Sequence, residues 1–117
     1  MKRREWTEAR AKVEAESKCR FCGLSEGEYY VGESGPSFCR LEAAHLWPRS
    51  RGGTQNPDGI VPLCGDCHRL FDSFRLDLLA VLSSDEQVEL VRQSGGIELA
   101  RVRVLPSEYP KRSERFQ

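Results

Sequence analysis

Two Cys-x-x-Cys pairs govern what this chain of 117 residues can fold into. Cys19-Arg20-Phe21-Cys22 and Cys64-Gly65-Asp66-Cys67 offer four thiols in two short knuckles, and 42 positions separate Cys22 from Cys64. Four thiols so arranged suit one tetrahedral structural zinc, which would staple two distant stretches of chain together. A chain of this length has room for one domain with a modest core, spanning 1–117, so the staple would contribute materially to its stability. No run is apolar enough to span a bilayer and no leader pattern is evident, which sets the expectation of a cytoplasmic protein without a membrane partner. In that compartment paired cysteines more often bind metal than form disulfides.

Local patterns divide the chain around the staple. Residues 4–18 read as a charged helix with a thin apolar stripe of Trp6, Ala9 and Val13, so 1–18 is taken as an N-terminal helical arm. Residues 24–37 are acidic and glycine-containing, a loop or loose hairpin. Phe38 to Leu46 reads as a strand, ended by Trp47-Pro48 because proline supplies no ladder donor. The turn-rich stretch 49–59 leads to a second short strand, Ile60-Val61-Pro62-Leu63, that delivers the second knuckle. A helix should follow, with Leu70, Phe71, Phe74 and Leu78 facing the core. These pieces make 19–75 a stapled core. In 76–105, a helical appendage, Ser83 and Glu86 form a capping box and Gly95-Gly96 a stop. Ile97–Leu105 is a short helix or strand, and 106–117 a frayed tail.

Net charge is zero, a mild argument against nonspecific nucleic-acid binding, but the charge is uneven. Residues 1–22 carry seven basic and four acidic side chains, and 101–117 carry five and two. Such ends either grip phosphates around a neutral centre or are solvated termini.

The only two histidines are left free by a four-thiol zinc site. His68 follows Cys67 at once, and Asp72 lies four residues on, so both occupy one helix face and can bind one cation from a single side. Imidazole plus carboxylate with open positions suits Mg²⁺, Mn²⁺ or a first-row transition ion. His45, near the end of the first strand, is placed to deprotonate water, since its natural pKa lies near working pH. With basic side chains at Arg49 and Arg51, this set describes phosphodiester hydrolysis. The plainer readings are a hydrogen-bonded His45, solvated Arg49 and Arg51, and an Asp72 that only pairs with Arg69 or Arg75. Cys64-x-x-Cys67-His68 also matches a c-type haem attachment site, but haem would strand the first knuckle. Cys39 reads as a small buried hydrophobe and Trp47 as a packing residue.

The block Leu41-Glu42-Ala43-Ala44-His45-Leu46-Trp47-Pro48-Arg49-Ser50-Arg51-Gly52-Gly53, followed by Ile60-Val61-Pro62-Leu63-Cys64-Gly65-Asp66-Cys67-His68-Arg69-Leu70-Phe71-Asp72, resembles the HNH endonuclease family. With the first knuckle it covers about half of the chain, and the combination is far more specific than any one motif. The resemblance extends weakly, through Leu76-Asp77-Leu78-Leu79 and Glu86-Gln87, to small phage-type members.

The fold this implies is α+β: a zinc-stapled domain with a ββα-metal (His-Me finger) core, an N-terminal helix and C-terminal helices. The resemblance implies His45 as general base, His68 as ligand of a catalytic cation, and Cys19, Cys22, Cys64 and Cys67 as ligands of a structural zinc. It implies cleavage of DNA, in some members RNA, leaving 5′-phosphate and 3′-hydroxyl ends. Two positions depart from the family pattern. Ala44 stands where many members carry a metal ligand, and relatives with alanine there are expected to use the carboxylate at the position of Asp72. Gly59 stands where the family has an asparagine that braces the loop or helps hold metal, with Asp58 adjacent and Asn56 close. A homodimer or a phage terminase partner, in a bacterial host cytoplasm, is a family-level expectation only. The competing function is a non-catalytic zinc-bound module, for DNA binding or protein interaction, that keeps the fold.

Overall fold

The structure, a computed structural model, describes residues 2–32 and 34–108. Its first helix, α1 (Lys2–Glu16), buries Ala9 and Val13, so the thin apolar stripe is its inward face. A left-handed Ser17 ends it, its N–H donating to the Val13 carbonyl. The first knuckle follows, then an antiparallel hairpin of β1 (Tyr29–Gly32) and β2 (Gly35–Phe38). This is the loose hairpin expected of 24–37. Tyr29, Val31 and Phe38 are exposed, while Tyr30 packs against the core and donates its hydroxyl to Asp66 Oδ2 at 2.8 Å.

The centre of the fold is a two-stranded ribbon. β3 (Leu41–His45) runs antiparallel to β4 (Ile60–Cys64), with Leu41 opposite Cys64 and His45 opposite Ile60. Both faces of the ribbon are covered, which is why every residue of β4 is buried. On one face Ala9 and Val13 of α1 pack with Ile60, Leu41 and Ala43. On the other, Ala44, Val61 and Leu63 join the main core with Phe71, Leu78, Leu90 and Val104.

Helix α2 (Gly65–Asp72) starts directly from Cys64 and is shorter than the apolar pattern suggested. Leu70 and Phe71 pack inward as expected, but Phe74 does not: it is 47% exposed. The cause is the way the helix closes. Phe74 takes a left-handed φ of 60°, and Arg75 N–H reaches back to the Leu70 carbonyl at 2.9 Å, which turns the chain out of the helix. Leu78 still fills the core, but from the segment beyond.

The appendage consists of α3 (Ser84–Ser94) and α4 (Ile97–Val104). α3 carries the expected capping box, Ser83 with Glu86, and stops at a left-handed Gly95. The stretch that read as helix or strand is helix, docked where Leu78 N–H donates to the Val104 carbonyl at 2.8 Å. A 3-10 turn, Pro106–Glu108, follows; the rest of the expected tail lies outside the described residues. Among the described residues no helix is long and apolar enough to cross a membrane.

Glu86 ties the pieces together. Its carboxylate accepts from Lys12 Nζ (2.8 Å) and Arg20 Nη1 (2.6 Å), so α1, the first knuckle and α3 meet at one buried acid. Lys12 Nζ also donates to the carbonyls of Pro57 and Ile60, which pins the start of β4.

Candidate active site

The four knuckle sulfurs come together as the spacing required. Cys19, Cys22, Cys64 and Cys67 all lie within 4.8 Å of one another, and the Cys22 and Cys64 sulfurs are 3.8 Å apart. A tetrahedron of Zn–S bonds of about 2.3 Å has edges of about 3.8 Å, so the cluster fits a zinc ion. A hydrogen bond from Cys67, opposed by burial and helped by the amides of Cys64, Cys22 and Phe21, draws the Cys19 sulfur down to about 4. Burial pushes Cys22 up to about 11. A dication among them is the partner that would let all four be thiolates together. Cys39 is fully buried and lies outside this cluster, its thiol raised to about 11 by burial.

From Cys64 the helix folds back along the ribbon. His45 is four residues from the Cys64 end, roughly 13 Å along a strand, and the seven steps from Gly65 to Asp72 return about 10 Å of that. His68 and Asp72 therefore share a cleft of about 410 Å³ with His45, Arg49, Arg51 and Arg103. The structure thus brings together five of the residues singled out by sequence, leaving the cysteines as a separate site and Asp58 outside the cleft lining.

His45 is held at several points. Its Nε2 lies 2.8 Å from Gln55 Oε1, and with that oxygen as acceptor the proton sits on Nε2, leaving Nδ1 as the basic nitrogen. The Trp6 indole of α1 stacks parallel to the ring, 6.1 Å between centroids. Burial holds the imidazole below its ordinary value; the Gln55 contact opposes this, and the nearby positive charge of Arg49 adds to it.

His68 stands between two carboxylates. Nδ1 is 2.6 Å from Glu42 Oε1, and Nε2 is 3.3 Å from Asp72 Oδ2. Two adjacent ligands on an octahedral ion with bonds of about 2.1 Å lie roughly 3 Å apart, so Nε2 and Oδ2 fit one cation. Ala44, fully buried, contributes nothing to the cleft. Glu42, two residues earlier on the same strand face, reaches the helix instead.

Arg49 and Arg51 are exposed on a 3-10 turn, Arg49–Arg51, at the mouth of the cleft. The buried Trp47 fixes this turn by donating its indole N–H to the Arg51 carbonyl at 2.9 Å. Gly53 lets the loop close, since a Cβ there would overlap the carbonyls of Trp47 and Pro48.

At the other departure from the pattern, the Asn56 side chain accepts from Asp58 N–H at 2.9 Å, so Asn56 caps the turn that carries Asp58. A Cβ on Gly59 would come within 2.5 Å of Gln93 Nε2. Gln93, on α3, fills that space, and its Oε1 accepts from Thr54 N–H at 3.1 Å.

Four residues that touch the site or its loops escaped the sequence reading: Glu42, Gln55, Gln93 and Arg103. Only Glu42 had a local signal, the two-residue alternation from Ala44. Arg103 is the most thoroughly engaged. It is 2% exposed, and its guanidinium donates to the carbonyls of Leu46 (2.8 Å), His45 (3.2 Å) and Phe71 (3.3 Å) and to Asp72 Oδ1 (3.0 Å).

A two-stranded ribbon running into a helix, with a histidine from each around a shared cleft, is a ββα nuclease arrangement. A family model described as HNH endonuclease matches residues 19–77, half of the chain, and the chain belongs to that family. No curated protein and no solved structure matches it.

Proposed function

We propose that this protein is a divalent-metal-dependent HNH endonuclease that hydrolyses DNA phosphodiester bonds, acting as a single domain with zinc in the cysteine cluster. The observation that carries this reading is the shared cleft: the strand histidine, the His68–Asp72 pair and two exposed arginines line one cavity.

In this reading His45 is the general base. Gln55 fixes its tautomer, and Nδ1 takes a proton from the attacking water as the water oxygen bonds to phosphorus. The bond from phosphorus to the 3′-oxygen breaks on the opposite side, and that oxygen takes a proton from solvent. His68 Nε2 and Asp72 Oδ2 would hold Mg²⁺ or Mn²⁺, whose chemistry when bound is to stabilise charge on the phosphoryl oxygens and the departing 3′-oxygen. Glu42 orients His68 through its other nitrogen. Arg49 and Arg51 bind the phosphate backbone. One such site cuts one strand, so a double-strand break takes two protomers or two events.

The test is nicking of supercoiled plasmid by zinc-loaded protein, stripped of other metals, with Mg²⁺, Mn²⁺ or neither. Nicking that requires an added ion and disappears in a folded, zinc-loaded His45→Ala variant supports the reading. No cutting with any ion, with DNA binding intact in both proteins, would show a non-catalytic binding module.

A further inference from the structure

We infer that Arg103 is a positioning residue of the cleavage site, setting the strand end that carries His45 and the carboxylate of Asp72 in one fixed geometry. The inference rests on the nuclease reading above and deepens it. Arg103 lies on α4, outside the segment that matches the family, so the clamp belongs to this chain's appendage and not to the shared core.

The burial spacing of α4 explains how the side chain gets there. Ala100, Arg103 and Val104 are the buried residues of that helix, so its one inward face carries a guanidinium between two apolar anchors. The guanidinium lies over the Phe71 ring, 3.8 Å from its centroid. Each of its three nitrogens has a separate task. Nε donates to the Leu46 carbonyl, Nη1 to the Phe71 carbonyl, and Nη2 to both the His45 carbonyl and Asp72 Oδ1. The strand end and the helix end are thus joined through one rigid plane.

The contact with Asp72 has a chemical consequence. Arg103 occupies Oδ1, and Oδ2 is the oxygen that faces His68 Nε2. Arg103 therefore orients Asp72 toward a shared cation. A guanidinium repels a cation, so its contribution here is geometry and not charge attraction. Lysine, a single point donor, cannot span four acceptors in three directions.

The decisive comparison is Arg103→Lys, which keeps the charge and loses the fork, beside Arg103→Met, which loses both. Mn²⁺ affinity, plasmid-nicking kcat and KM, zinc content and Tm are measured on each. Losing the hydrogen-bond partner that orients a metal-binding side chain costs about 10- to 100-fold in metal affinity or activity. Arg103→Lys is expected to lower kcat by that factor and to weaken Mn²⁺ binding about tenfold, with zinc content unchanged and KM within about twofold. A folded Arg103→Lys protein with wild-type kcat and Mn²⁺ affinity, whatever its Tm, overturns the inference. So does an Arg103→Met protein that binds Mn²⁺ more tightly and cuts as well as wild type.

If neither variant folds, the wild type supplies the test. Mg²⁺ should shift the side-chain nitrogen resonances of Arg103, and unchanged resonances overturn the inference. A wild type that binds Mn²⁺ but nicks nothing removes the nuclease reading alone, and Arg103 is then judged on the Mn²⁺ affinity of Arg103→Lys. A wild type that neither cuts nor binds Mn²⁺ overturns both.

Discussion

Glu42 Oε1 lies 2.6 Å from His68 Nδ1, so a half-exposed strand carboxylate orients a helix histidine. Nε2 is thereby turned toward Asp72 Oδ2, 3.3 Å away. Removing this contact should cost metal affinity far more than stability. Glu42→Ala is expected to weaken Mn²⁺ binding by about 10- to 100-fold and to change unfolding stability by no more than about 0.5 kcal/mol. Glu42→Gln, which keeps an acceptor, should recover much of the affinity. Titration of Mn²⁺ into the three proteins checks this, and equal affinities would sink the assigned orientation.

The pH dependence of cleavage should report His45. Its imidazole is held below the ordinary 6.5 by burial, against the pull of Gln55 and with the help of Arg49. A base with a depressed value stays deprotonated as pH falls through 7, so activity should persist to 6.5 and be lost only below it. Gln55→Ala, which removes the opposing contact, should move the acid limb of kcat/KM lower. Arg49→Gln should move it higher, whatever it does to the amplitude. Shifts in the same direction for both variants would contradict the electrostatics described.

Metal removal should unfold the core. Structural zinc contributes apparent free energies of about 10–16 kcal/mol in small zinc-finger peptides, comparable to or larger than the net stability of a whole domain, about 5–15 kcal/mol. Cys64→Ser or a strong chelator is therefore expected to abolish cooperative unfolding and near-UV circular dichroism. Cys39→Ala, which loses a buried sulfur outside the cluster, should keep one zinc per chain and cost about 1–2 kcal/mol. Zinc content measured alongside thermal melts separates the two cases.

Glu86 should matter to acid stability. Burial alone would raise its carboxyl, but hydrogen bonds from Arg20 and Lys12 outweigh that and bring it from 4.5 to about 2. A depressed folded value stabilises the protein above pH 4.5 and loses that effect as pH falls toward 2. The difference amounts to roughly 3 kcal/mol. The stability gap between wild type and Glu86→Gln should therefore be widest above pH 5 and close by about pH 2. Denaturant unfolding at a series of pH values checks it; a constant gap would count against the Glu86 assignment.

What could be read from sequence was local or chemically unusual. The knuckles announce themselves by spacing, the strands by their apolar runs between turns, and α3 by a serine–glutamate box and a glycine stop. His68 and Asp72 meet because they are one helical turn apart. Phe74 lies outside the core because periodicity shows which face a helix offers and not where the helix closes. Asp58 draws the eye because it neighbours Gly59, and the structure adds that its N–H is held by the Asn56 side chain. The remaining contacts join common surface residue types across long separations. Arg103 reads as one more charge in a basic C-terminal stretch, and only the packing of α4 carries it to the His45 carbonyl 58 positions away. Gln93 fills the space at Gly59 from 34 positions on.

That separation sets a calendar for assembly. All four sulfurs precede the appendage in the chain, so the ribbon and first helical turn carry their own four-cysteine site, independent of α3 and α4. Arg103 comes 36 positions after Cys67. Until α4 docks, the two histidines would be held by ribbon and helix alone, without the buried fork behind them.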